Sequence, residues 1–394
     1  MGSHPLWFLS NRGAVVLTTA FTAFTAFTLG GCHEKSSDVP STLGLPTAIN
    51  YDALYVASGE GDTITIVNTE TDFINPAKIH LSNAGAPHYL ALSADRSKLL
   101  VTAGSVNVNV GLADGGLDDS GVDDGGVDDG GVVDAGGAPA GSPGALLLLN
   151  ATTGVTLKAR RTDAPAAGAV FATNDTEVWL TSMTSPGNAL VLTASNLVDK
   201  TKVEVGDQPA HVSIGQDGRY AFVVNTASDS VTAIDTATKL PRDPVKVGKS
   251  PIGAWQGTDG LVYVDSAVDK TLTAINTTTL DIRRTYDLGF TVGTVASGPD
   301  GYLWVTDPEH GKVVLFESGT DIRVRDIDTD AGAYGIAFSD DGKSAYVSNQ
   351  AAGTVSVIDV AEKRVRLRLL GIPSPNWLVF RKKDGSNPLG DAGD

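Results

Sequence analysis

From Ser339 to Leu369 the chain reads SDDGKSAYVSNQAAGTVSVIDVAEKRVRLRL. Asp341-Gly342 makes a tight polar turn, AYVSN is an apolar run, and TVSVID and RVRLRL alternate apolar with polar positions. Period-two alternation of β-branched and aromatic residues, broken by Asp, Gly and Asn, predicts short antiparallel strands with a buried face. Three strands cannot bury that face alone, so the unit should recur. The Val or Leu of the "YV" step returns at Val56, Val101, Leu180, Val223, Val264, Val305 and Val347, with spacings of 45, 79, 43, 41, 41 and 42 residues. Seven units follow, one of them carrying an insertion, and a period of this length is that of a propeller blade.

Each unit supplies four strands. An inner strand such as PHYLAL, PAHVSI, PIGAWQ, AYGIAF or PNWLVF precedes the turn, the "YV" strand follows it, and a third strand and an outer alternating strand complete the blade. The turns GQDGR, GTDG, GPDG and SDDGK place Gly218, Gly260, Gly301 and Gly342 where φ is positive. The residues before the repeat position are Tyr55, Leu100, Trp179, Phe222, Tyr263, Trp304 and Tyr346, a periodic set that reads as packing between blade faces. The repeats begin with a second strand at Tyr55 and end with a lone inner strand at Pro375 to Arg381. The expected fold is therefore all-β: a seven-bladed β-propeller of four-stranded antiparallel blades over residues 51–385, closed by joining the C-terminal strand to the N-terminal blade.

AYVSNQAAGTVSVIDVAEKRV and AFVVNTASDSVTAIDTATK resemble the YVTN family of seven-bladed propellers, common in bacterial and archaeal cell-envelope proteins. The resemblance covers Tyr55 to Arg381. GPDGYLWVTD, at Gly298 to Asp307, is similar to a blade of streptogramin lyase. Both resemblances imply architecture, which does not by itself determine function.

The N-terminal region has a different pattern. The apolar run GAVVLTTAFTAFTAFTL, Gly13 to Leu29, follows a single basic residue, Arg12, and ends in Leu29-Gly30-Gly31-Cys32. That ending matches a bacterial lipobox, so residues 1–31 read as a lipoprotein signal peptide and Cys32 as the acylated residue. Cys32 is the only cysteine, which excludes a disulfide within one chain. Two or more acyl chains anchor a protein stably, and residues 32–50 read as the tether between lipid and propeller. His33 after the cysteine resembles outer-membrane-directed lipoproteins of enteric bacteria. The expected location is the cell envelope, periplasmic or cell-surface, on the outer membrane rather than the inner; residues 386–394 read as a flexible tail.

The doubled spacing is filled by residues 111–144, five pentads of the kind GVDDG. Its eight Asp residues, without Lys, Arg or Glu, carry almost half of the chain's net charge of −17. So much Gly with so few large apolar residues predicts a disordered linker. Asp118, Asp119, Asp123, Asp124, Asp128 and Asp129 are the alternative, as calcium ligands, although Gly/Asp calcium rolls have a nine-residue period. The insertion joins a second strand to a third, on the face that carries the links between blades. Contacts with a protein or small-molecule ligand are expected from that face.

The net charge, with Lys and Arg scattered, excludes a phosphate-binding stripe and a nucleic-acid partner. No cofactor is expected beyond possible roles for calcium or magnesium. The candidate catalytic pair is Glu309 and His310 in TDPEHGK, for a lyase or lactonase acting on a lactone or cyclic ester. The candidate ligand-binding residues are His88, His211, Trp255, Tyr334 and Trp377, on or at the mouths of inner strands. A binding or interaction module is the leading expectation, and the enzyme is its alternative.

Overall fold

The structure is a computed structural model that describes residues 41–104 and 144–383, apart from 43, 83 and 163. The expected signal peptide (1–31), Cys32, the six candidate metal-binding Asp residues of the insertion and the expected tail (386–394) lie outside the described residues. Seven antiparallel sheets account for nearly all the regular structure, with one 3-10 turn at Thr226–Ser228. Blade 1 joins Pro375–Arg381 to Ala53–Ser58, followed by Thr63–Asn68 and Ile79–Ser82. Blade 2 runs Pro87–Leu92, Lys98–Gly104, Gly144–Asn150, Thr156–Thr162. Blades 3 to 7 repeat the order, with inner strands Ala166–Phe171, Pro209–Ile214, Pro251–Gln256, Val295–Ser297 and Ala333–Phe338.

Burial along a blade explains the sequence pattern. Second strands such as Ala53–Ser58 and Tyr220–Asn225 are buried at every residue, because both faces of a blade meet neighbouring blades. Outer strands have one wet face: Arg364–Leu370 exposes Arg364, Arg366 and Arg368 and turns Leu369 inward. Two of those arginines also tie blades together, Arg366 to Asp72 at 2.6 Å and Arg368 to Asp330 at 2.8 Å. At the polar turns Gly260 and Gly342 have φ of 76° and 68°, the left-handed conformation that favours glycine.

Seven hydrophobic clusters separate the blades, one for each pair of neighbours. An open stack of seven blades would have six. Each cluster contains one member of the periodic set, from Tyr55 between blades 1 and 2 to Tyr346 between blades 7 and 1. All seven are at most 2% exposed. Their polar ends find partners where the register allows: Tyr55 donates to the Ala151 carbonyl, and Trp304 Nε1 donates to Asp300 at 3.0 Å.

The ring closes through blade 1. Leu54 faces Phe380, Tyr55 faces Val379 and Val56 faces Leu378 across the junction of the two chain ends. Two boundaries differ from expectation. Ser41, Thr42, Leu45 and Ile49, expected in the tether, are tied to the propeller: Ser41–Thr42 pairs with Ile79–Ser82, and the amides of Leu45 and Ile49 donate to Thr153 and Thr152 carbonyls at 2.8 and 2.9 Å. Ile49, an apolar residue in a polar stretch, buries itself there at 2% exposure. Gly144 is the first residue of the third strand of blade 2, paired with Gly104, rather than the last of the insertion. A chain truncated before Asn376 is expected to lose its single cooperative thermal transition, followed by circular dichroism; a melt like that of the full chain would contradict closure.

Candidate functional site

Inner strands converge on the ring axis, and their first residues decide how. Pro87, Pro209, Pro251 and Pro375 each open an inner strand, a place where the missing N–H breaks no ladder. In six of the seven blades a register shift interrupts the pairing of inner and second strand next to that start. Such bulges re-aim side chains. His88 is the extra residue in blade 2, whereas in blade 4 the extra residue is Ala210, so the two histidines fall one position out of phase.

The register defines one level of the axis. The residues opposite the repeat position are Leu378, Leu90, Ala169, Val212, Ala254, Val295 and Ile336. Those just before them are Trp377, Tyr89, Gly168, His211, Gly253, Thr294 and Gly335. Three rings, three glycines and one threonine share this level. A full circle of large side chains would not fit, and the glycines show why: a Cβ on Gly335 would lie 2.7 Å from the Asn376 carbonyl, and one on Gly253 only 2.2 Å from the Trp255 ring.

The rings line the axis in mutual contact. Tyr89 lies 4.4 Å from Trp377 by ring centroids and 5.2 Å from His211. Trp255, two residues beyond Gly253, stacks on Trp377 at 5.6 Å and 17°, and lies 5.0 Å from His211. Of the five expected ligand-binding residues, His211, Trp255 and Trp377 therefore meet directly. His88 is buried and its Nε2 donates to the Ala166 carbonyl at 3.0 Å, between blades. Tyr334 lies one position before the ring level, and its carbonyl accepts from the Thr306 hydroxyl at 2.6 Å.

His211 is held as a neutral acceptor: Ala254 N–H donates to Nδ1 at 3.2 Å, and Nε2 has no partner. Burial lowers its pKa to about 4. The residue missing from the expected set is Asp265. It follows the repeat position, where the other blades carry Ala57, Thr102, Thr181, Val224, Thr306 and Ser348. The hydroxyls of Thr306 and Ser348 use this place to donate to the next blade, to Tyr334 O at 2.6 Å and Asn376 O at 2.5 Å. Asp265 instead accepts from Gly253 N–H and Trp255 Nε1, both at 2.9 Å, through Oδ1 alone. Its Oδ2 is buried without a partner, and burial raises the carboxyl to about 7. The signal was present in the repeat itself, since YVDS is the only "YV" segment with an acid directly after the repeat position.

Glu309 and His310 do not converge. Glu309 accepts from Lys270 at 3.0 Å and from Thr291 N–H at 2.9 Å, which together hold its pKa below the usual carboxylate range despite the opposing effect of burial. His310 Nδ1 pairs with Asp307 at 2.8 Å and is mostly exposed. Adjacent residues in one turn thus serve different partners. Among the described residues no three His, Cys, Asp or Glu side chains are grouped to hold a metal ion.

A cavity of about 490 Å³ opens among the inner strands of blades 7, 1 and 2, with Tyr89 and Trp377 in its lining. Ser93, Arg96 and Asp340, from the turns between inner and second strands, place it on the face opposite the one that carries the insertion.

No protein-family model matches the chain, and no curated protein matches it. Solved structures do match. The periplasmic gluconolactonase of Pseudomonas aeruginosa is similar with a TM-score of 0.64 and 17% identity, over 84% of this chain and 98% of that one. A candidate 6-phosphogluconolactonase of Bacteroides fragilis gives 0.60 and 15%, over 84% and 98%. Hydrazine synthase of Kuenenia stuttgartiensis gives 0.57 and 14%, over 77% and 92%. At these identities the likeness is one of fold.

Asp265→Thr restores the side chain used in sibling blades and should stabilise the protein. The Asp265 pKa is raised on folding from 3.8 to about 7, so its favourable contribution is complete below the unfolded value and is lost as pH rises through the folded one. The variant escapes that loss. Its advantage in stability should therefore grow between about pH 4 and 7 and then level off at about 4 kcal/mol, read as a rising difference in Tm. His211, shifted the other way, is present in both proteins and cancels in the difference. An advantage independent of pH would contradict a buried, protonated Asp265.

Proposed function

We propose that the chain is a YVTN-type cell-envelope lipoprotein, acylated at Cys32, whose seven-bladed propeller binds a small molecule at its axis. The observation that carries this reading is the axial ring layer, in which apolar rings surround two buried polar atoms without partners, Asp265 Oδ2 and His211 Nε2. Buried polar atoms cost about 1–3 kcal/mol each when unpaired, and a ligand that pairs them recovers that cost. Tyr89, within the layer, and Tyr334 and His88, one position before it, complete the proposed contacts. The lipobox at Leu29 to Cys32 supports the anchor, with the propeller held outside the cytoplasm on the outer membrane.

Lactone hydrolysis is the second reading, favoured by the lactonases among the similar folds and by Asp265, a carboxyl close to neutrality in pKa. Asp265 and His211 would then replace Glu309 and His310 as the acid–base candidates. Hydrolysis of δ-gluconolactone, followed at neutral pH with and without Mg²⁺, separates the two. The binding reading predicts the buffer rate in both conditions; turnover that collapses in Asp265→Asn would establish the hydrolase instead. For the anchor, labelling with a palmitate analogue should mark the wild-type protein and not Cys32→Ala, and a labelled variant would contradict it.

A further inference from the structure

We propose that the axial site takes a small primary ammonium ion, held by the Asp265 carboxylate beside the Trp255 ring. The proposal rests on the axial-binding reading above and specifies its ligand. Asp265 is 2% exposed and has used only one of its two oxygens, on Gly253 and Trp255. The other oxygen has no hydrogen-bond partner among the described residues. Folding favours the protonated carboxyl, so a cationic donor would take the place of that proton, and the ionised form left behind is acceptor-only. A positive donor would also neutralise a charge that the site otherwise excludes.

The walls favour the same chemistry. Trp255 donates its N–H to Asp265 and thus lies beside the carboxylate, with Trp377 stacked on it. Aromatic faces attract cations, most strongly where water is excluded. The comparison within the chain is the telling part. Five sibling blades place Thr, Ser or Val at this position and one places Ala, so the fold has no need of a carboxylate there. A residue that the fold does not require, and that costs stability, has the character of a functional one.

The test uses the intact protein and the intrinsic tryptophan fluorescence that Trp255 and Trp377 contribute. Propylammonium chloride is titrated into wild type, Asp265→Asn and Asp265→Thr, with 1-propanol as the neutral isostere and δ-gluconolactone as a neutral ring probe. Expected is a saturable change with propylammonium in wild type, at least tenfold weaker in both variants, and none with 1-propanol. Thr is native to this position in sibling blades, so Asp265→Thr reports on binding without loss of the fold. Equal affinity in wild type and both variants, or an equal response to 1-propanol, would overturn the proposal. A saturable response to the lactone alone would overturn the ammonium assignment and leave axial binding standing. Silence toward every probe would count against both.

Discussion

The structure depends on one set of backbone hydrogen bonds, those between Pro375–Arg381 and Ala53–Ser58. Every other blade is a contiguous stretch of chain, and this one is assembled from both ends. Blade 1 has no turn between its inner and second strands, and side chains from its neighbours span the gap. Arg96 of blade 2 and Asp340 of blade 7 pair at 2.5 Å with both side chains largely buried. Arg381, at the end of the closing strand, donates to the Arg96 carbonyl at 3.2 Å and to Thr152 at 2.9 Å. The ion pair and the strand therefore form one polar network at the seam. Loss of a partner there would leave a buried charge uncompensated, which is costlier than the pair itself is stabilising.

Closure fixes the number of inner strands, and that number fixes the space on the axis. The seven ring-level residues must share a narrow core, and the chain meets this with rings on blades 1, 2 and 4 and glycines on blades 3, 5 and 7. Trp255 then folds into the room that Gly253 leaves. Asymmetry on the axis thus follows from the geometry of a symmetric scaffold, and the one acidic departure, Asp265, sits beside the largest rings. Scaffold and site are separable in these terms: the hydroxyls of Thr306 and Ser348 tie one blade to the next, whereas the Asp265 carboxylate bonds within its own blade.

Much of the fold was legible in the sequence because its cause is periodic. The spacing of the "YV" steps, the D-G turns and the leftover inner strand at Pro375 each followed from local rules, and the clusters between blades confirm them. The site was less legible. His211, Trp255 and Trp377 could be placed on inner strands, but the bulges that bring them together depend on pairing that alternation does not encode. Asp265 lies within an apolar run, where a carboxyl stands out only when the seven repeats are aligned position by position. Glu309 and His310 are adjacent in one exposed turn, where neighbouring side chains usually diverge, and Lys270 and Asp307 decide where each points.

Hydrogen exchange in the closing blade is the most direct measurement of the central claim. Amides of Ala53–Ser58 and Pro375–Arg381 should exchange with the same protection as the paired inner and second strands of blades 3 to 5, at the free energy of global unfolding. Protection confined to blades 2 to 7, with the two chain ends exchanging orders of magnitude faster, would show that the ring is not shut.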